Sequence, residues 1–357
     1  VMPIFLKSIG FSVLLIGVLE GLAEATAGLS KGYFGRLSDA TGKRVPFVRI
    51  GYLMSAISKP MMAVFVFPLW IFLARTIDRL GKGIRTGARD AILSAEASPE
   101  TKGRVFGFHR GMDTLGAVIG PALALAFLWI WPRQYRVLFL VAFVPGLIAI
   151  AFTIFLKDDT DRKGSVVNRI SFFEFLKYWR SGSPVYRKLT GGLLIFTLAN
   201  SSDVFLLIKM KESGIDDRMV IGLYIFYNLV YALASYPMGV LADKIGLKNV
   251  LICGLFIFAF VYAGFALNAS LAGFIALLFP YGFYAAATEG ISKAWITNIS
   301  ETSETATAIG TYTAFQSICT LLASAMAGLI WQEFGATATF AVSAAASLAV
   351  AGYLRSL

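Results

Sequence analysis

GRLSDATGKR runs from Gly35 to Arg44, and GVLADKIGLK runs from Gly239 to Lys248. Both read G-x-L-x-D-x-x-G with a basic residue close behind, and 204 positions separate them. A looser pair follows the same rhythm. SPETKGRVFGF (Ser98–Phe108) and SETATAIGTYTAF (Ser303–Phe315) place Gly103 over Gly310, 207 positions apart. Two offsets this close imply two halves of equal topology. Each decapeptide ends an apolar run and opens a tight turn. The glycines supply close approach and unusual φ, and the aspartate is an acceptor suited to an exposed helix N-terminus.

The chain around these repeats is mostly oil. Of its 357 residues 57% are hydrophobic and only 15% charged, against about 25% charged in ordinary soluble domains. Lipid, not a soluble core, hides that much apolar surface, so the expected class is an all-α polytopic membrane protein. The net charge of +11 reads as loops held at an anionic leaflet, not as a nucleic-acid surface. Cys253 and Cys319 sit far apart in apolar runs, and His109 is the single histidine. No disulfide framework, metal site or cofactor is expected. No G-x-x-x-x-G-K-S/T loop occurs, which argues against ATP hydrolysis.

A spanning helix needs about 20 apolar residues. Eleven runs qualify: 10–35, 46–67, 68–93, 104–130, 136–156, 187–209, 216–241, 248–267, 271–297, 303–331 and 335–355. The long polar connection between the fifth and sixth holds ISFFEFLKYW (Ile170–Trp179), expected as a short interfacial amphipathic helix. The organisation expected is an N-terminal bundle over 1–156, a linker over 157–186 and a C-terminal bundle over 187–357. Lys43, Arg44, Lys102, Arg104, Lys244, Lys248 and the central connection outweigh the basic residues of the opposite loops. The positive-inside rule then makes this side cytoplasmic.

RTIDRLGKGIRTGARD (Arg75–Asp90) drives five cations and two carboxylates into one of these spans. Arg75, Arg79, Lys82, Arg85 and Arg89 recur every three or four residues, which makes one helical stripe. A charge at mid-bilayer costs about 2.5 to over 10 kcal/mol, so the stripe must face a bundle interior or a water-filled cavity. Glu20 and Glu24 are carboxylates near the centre of the first span; Asp113 and His109 lie in the inner half of another. Two roles are open for these charges: permanent ion pairs that clamp helices, or groups that carry a coupling proton. Glu20, Glu24, Asp78 and Asp113 are the proton-coupling candidates. Arg75, Arg79, Lys82, Asp203 and Glu289 are candidates for a substrate cavity, with Tyr227, Tyr231, Tyr281 and Tyr284 as aromatic walls; close packing is the other reading of those rings. Gly116 and Gly120 stand four apart before Pro121 and are expected to pack helices.

The paired decapeptides resemble the signature loop of the major facilitator superfamily, G-x-L-x-D-R-x-G-R-R/K, which follows the second and eighth spans there. Gly35, Leu37, Asp39, Gly42, Lys43 and Arg44 match it, with Ala40 where the family has a basic residue. Gly239, Leu241, Asp243, Lys244, Gly246 and Lys248 match the second copy. The resemblance covers the whole chain, is nearest to bacterial drug-efflux-like permeases, and implies two pseudo-symmetric six-helix bundles. It makes the loop residues a conformational gate. Gly116–Ala122 resembles the exporters' fifth-span motif without its trailing glycines. Arg79 and Gly83 come nearest to the fourth-span R-x-x-x-G associated with proton coupling. Because the first signature loop follows the first complete span, VMPIFLKSIG reads as the tip of an earlier span, and the native chain is expected to extend upstream.

The function this implies is secondary active transport: proton-coupled export of a small organic solute by alternating access. Uptake or exchange of an anionic solute bound by Arg79 and Lys82 is the alternative within transport. A non-transporting receptor or scaffold is the alternative of another class. No enzyme constellation stands out. The expected partners are a small solute, protons and the bilayer. The expected setting is a monomer in a bacterial inner membrane.

Overall fold

A computed structural model describes residue 6, residues 10–11, 13–158, 171–200 and 202–357. Among the described residues every regular element is helical. In chain order they are α1 Val13–Thr41, α2 Val45–Val64, α3 Pro68–Ala95, α4 Lys102–Ile130, α5 Tyr135–Thr153, α6 Phe175–Ser181, α7 Pro184–Ala199, α8 Val204–Glu212, α9 Asp217–Ile245, α10 Leu247–Leu267, α11 Leu271–Ile299 and α12 Thr305–Arg355.

Helix stands at each of the eleven expected runs, with two refinements. The run 187–209 is not continuous: α7 stops at Ala199 and α8 starts at Val204. The last two runs are one long helical trace, broken at Gly335, whose φ of 80° and ψ of 173° are non-helical. Only glycine takes that conformation without strain. Among the described residues seven helical stretches are long and apolar enough to cross a membrane by length and composition; α1, α2 and the charged α3 are not among them. Large apolar side chains lie open on the outside, Trp129 (87% exposed), Phe155 (80%) and Leu267 (86%) among them. Water would not tolerate such a surface, whereas acyl chains would. The linker helix exists as expected but begins at Phe175; Ile170 lies outside the described residues.

The chain divides into two compact units. The first holds Val1–Ile92, Ile119–Gly182 and Glu301–Ser317; the second holds Leu93–Val118, Ser183–Ser300 and Ile318–Leu357. Thus α4 and α12 are each divided between the units, α4 at Ile119 and α12 at Ile318.

Within the first unit, α2 and α3 approach closely where glycines permit. A Cβ on Gly81 would lie 2.6 Å from the Gly51 carbonyl oxygen. Leu6, Phe11, Met62, Ile71 and Phe139 form a buried apolar cluster. The start of α2 is capped from far along the chain: Asp158 Oδ1 accepts from the backbone N–H groups of Arg44 (2.7 Å) and Val45 (2.8 Å). Losing such a cap costs about 0.5–2 kcal/mol. Asp158→Ala should therefore lower thermal stability by that modest amount, read from the unfolding transition in detergent; an unchanged transition would show that water replaces the cap. In the second unit the core is aromatic. Phe258 stacks on Tyr262 with centroids 3.9 Å apart, and Phe265 lies 5.0 Å from Phe274 and 5.8 Å from Phe340.

Candidate functional site

The two decapeptides meet the same three structural demands. First, Gly42 and Gly246 both have positive φ, 68° and 99°, at the turn. Second, Gly35 and Gly239 are points of helix contact. A Cβ on Gly35 would strike the Ala306 carbonyl oxygen of α12, and one on Gly239 would strike the Gly103 carbonyl oxygen of α4. Third, each aspartate caps the helix so approached. Asp39 Oδ2 accepts from Thr307 N–H (2.7 Å) and Thr307 Oγ1–H (2.9 Å) at the start of α12. Asp243 accepts from Gly103 N–H (2.7 Å) and Arg104 N–H (3.0 Å) at the start of α4. Free N–H groups and the helix dipole make these ends good sites for a carboxylate.

The counter-ions differ. Arg44 is buried, pairs with Asp39 at 3.3 Å, and donates to the carbonyls of Ala91 (2.8 Å) and Thr302 (3.1 Å). Arg104 pairs with Asp243 at 3.3 Å but its side chain is 50% exposed. Lys248 donates to the Arg355 carbonyl, and Lys43 is exposed. A cavity of about 340 Å³ lies beside the second loop, lined by Asp243, Lys248, Glu100 and Trp295 among others. It belongs to this end of the unit and not to the aromatic cluster described below.

Most of the charged stripe of α3 is paired within its own unit. Arg79 pairs with Glu24 of α1 at 3.2 Å. Asp78 pairs with Lys59 of α2 at 2.9 Å and with Arg75 at 3.7 Å, and accepts from Ser58 Oγ–H. Arg85 donates to Ser55 Oγ (2.7 Å) and stands 4.6 Å over the Tyr52 ring. Arg89 pairs with buried Asp90 at 2.9 Å. Lys82 is exposed. The single stripe expected from spacing thus fans out onto α1 and α2. The side chain of Glu20 lies outside the described residues.

The second unit gathers the tyrosines around three polar groups. Tyr281 donates to Asp203 Oδ1 at 2.8 Å. Asn200 donates to Tyr284 Oη at 2.9 Å, leaving its own carbonyl oxygen buried without a partner among the described residues. Arg110 donates to Tyr231 Oη and pairs with Asp113 at 3.3 Å and Glu289 at 3.6 Å. The rings also pack on each other: Tyr227 lies 4.8 Å from Tyr281, and Tyr281 5.3 Å from Tyr284. All four are buried. Tyr281, Tyr284 and Tyr231 thus each meet one of Asp203, Asn200 and Arg110, while Tyr227 packs among the rings.

Three features run beyond or against the sequence expectations. Lys59, the partner of Asp78, stands ahead of Pro60 in an apolar span, and a cation there marks function or pairing. Arg110 is the common partner of two carboxylates and a tyrosine. Gly116 and Gly120 have no neighbour within 4 Å of a built Cβ, so they are not packing contacts here; Pro121 lies inside α4.

Comparison with known proteins fits this picture. A sequence profile described as Major Facilitator Superfamily matches residues 1–226 and 189–356. An MFS-type transporter of Methanocaldococcus jannaschii is 33% identical over 338 residues, 93% of this chain and 83% of that protein. The multidrug resistance protein MdtH of Cronobacter sakazakii is 26% identical over 155 residues, 43% of this chain and 38% of that protein. In fold, the human organic anion transporter MFSD10 is similar with a TM-score of 0.81 at 17% identity, over 98% of this chain and 87% of that one.

Proposed function

Since this chain belongs to the major facilitator superfamily and is a secondary transporter, we propose that it exports a small organic solute in exchange for protons. The observation that carries the reading is the pair between Glu24 and Arg79. It ties α1 to α3 at 3.2 Å within spans, and the Glu24 side chain is 48% exposed. A carboxylate that is paired and reachable can take up a proton and let its guanidinium go. Asp78, shared by Lys59 and Arg75, offers a second such exchange. The similarity to MdtH, a multidrug resistance protein by name, supports the direction. The signature loops are read as the gate, with Asp39 and Asp243 releasing the starts of α12 and α4 once per cycle. The lobes are read as residues 1–156 and 187–357 on either side of the 157–186 linker, working as a monomer. The excess of Lys and Arg supports placing these loops on the cytoplasmic side of a bacterial inner membrane.

A thermal-shift screen of solutes supplies a ligand, and proteoliposomes with an imposed pH gradient supply the flux. Glu24→Gln should cut gradient-driven flux about tenfold or more, the factor that 1.4 kcal/mol represents. Solute exchange without a gradient should stay near the wild-type rate. Flux that ignores the pH gradient in the wild-type protein would refute proton coupling.

A second reading has its own support. Lys59, Arg75, Arg79, Lys82 and Arg85 outnumber Glu24 and Asp78 around α2 and α3, which suits an anionic solute held by Arg79 and Lys82. Arg79→Gln separates the two. Slow flux with intact affinity belongs to coupling; lost affinity for anions alone belongs to ligand binding.

A further inference from the structure

The short helix α6 has two faces of opposite character. Its inner face is locked into the first unit. Phe175 is buried, and its ring fills the space where Gly32 of α1 lacks a side chain; a Cβ there would lie 2.5 Å from the ring. Thr311 of α12 donates its hydroxyl to the Phe175 carbonyl at 3.2 Å. Trp179 meets Phe315 of α12 edge-on at 5.4 Å, and Glu174 pairs with Arg36 of α1 at 3.9 Å. So α6 holds the end of α1 and the first turns of α12, the two helices also joined by Asp39 and Thr307.

The outer face carries Leu176, Lys177 and Arg180, at i, i+1 and i+4, and Phe173 sits in the turn just before the helix. Phe173 is 55% exposed and Leu176 39%, and Lys177 and Arg180 are exposed. Neither basic side chain makes an ion pair among the described residues. In chain order α6 comes after α5 ends and before α7 begins, so it belongs to the end of the molecule where those spans leave the bilayer. An apolar pair flanked by cations at that level matches an interface where acyl chains meet phosphate groups.

We propose that the outer face of α6 binds anionic phospholipid headgroups through Lys177 and Arg180, with Phe173 and Leu176 set among the acyl chains, and that this contact steadies the hold of α6 on α1 and α12. The partner is the charged leaflet itself. The proposal does not depend on the direction of transport or its coupling ion.

The test uses the full chain in nanodiscs of phosphatidylcholine, with and without phosphatidylglycerol, and reads amide hydrogen exchange over residues 174–181. Exchange in this segment should slow in the anionic discs by about fivefold for each cation engaged. K177Q/R180Q should exchange at one rate in both lipids, while K177R/R180K should keep the lipid response. Arg136→Gln, a change elsewhere on the unit, should leave it intact. Equal exchange of the wild-type segment in both lipids would overturn the proposal, and so would a lipid response that survives in K177Q/R180Q.

Discussion

Asp39→Ala should cost about 3–5 kcal/mol of stability, the usual penalty for removing one member of a buried ion pair. Transport should fall below detection. The Asp39 and Arg44 side chains are 2% and 5% exposed, so neither water nor lipid headgroups can replace the lost carboxylate. The Thr307 N–H at the head of α12 loses its acceptor at the same time. Removing both charges should hurt less than removing one. The double change Asp39→Ala with Arg44→Met should therefore recover part of the loss, a coupling that a double-mutant cycle measures. Asp243→Ala is the contrast. Its partner Arg104 is half exposed, so the ion pair contributes about 0–1 kcal/mol. Its loss is mainly that of a helix cap, about 0.5–2 kcal/mol. Thermal unfolding of the variants in detergent checks the order, and equal losses for the two aspartates would contradict it.

The second large effect is expected at Gly239. A Cβ there would meet the Gly103 carbonyl oxygen and lie 2.9 Å from the Arg104 Cα, and one on Gly103 would lie 2.6 Å from the Gly239 carbonyl oxygen. Both obstacles are backbone, which cannot rotate aside. Gly239→Val should push α9 away from α4, pull Asp243 off its N–H donors and cost about 1–3 kcal/mol or more. Flux should drop about tenfold or further, since 1.4 kcal/mol is one such factor. Adding Gly103→Ala should change little more, because the gap has already been opened. Wild-type flux in Gly239→Val would show that the contact is incidental.

The sequence displayed the membrane class and the doubled loop because these live in composition and in fixed local spacing. Each role in the loop has a local cause: positive φ at Gly42 and Gly246, carboxylates next to turns, small residues at contacts. What stayed hidden depends on tertiary neighbours. Nothing near Asp78 says that Lys59, on another helix, will be its nearest cation. Nothing near Asp158 says that it caps α2. The tyrosines read either as cavity walls or as packing, and no local signal says that the hydroxyls of Tyr281, Tyr284 and Tyr231 meet Asp203, Asn200 and Arg110. The break between α7 and α8 falls at the turn-forming cluster NSSD, residues 200–203, which a count of apolar residues passes over.

The hydrogen bond from Thr307 to Asp39 spans 268 positions of chain. During synthesis, Asp39 emerges long before the residue that will satisfy it. Until α12 is made, the Asp39–Arg44 pair sits in a half-built protein with its helix partner missing, alongside the empty slot at Gly32 that Phe175 fills somewhat sooner. The nascent N-terminal half is thus an unfinished object, exposed to quality-control proteases for as long as the ribosome takes to reach Thr307. Pauses in translation anywhere in the second half should shorten its life.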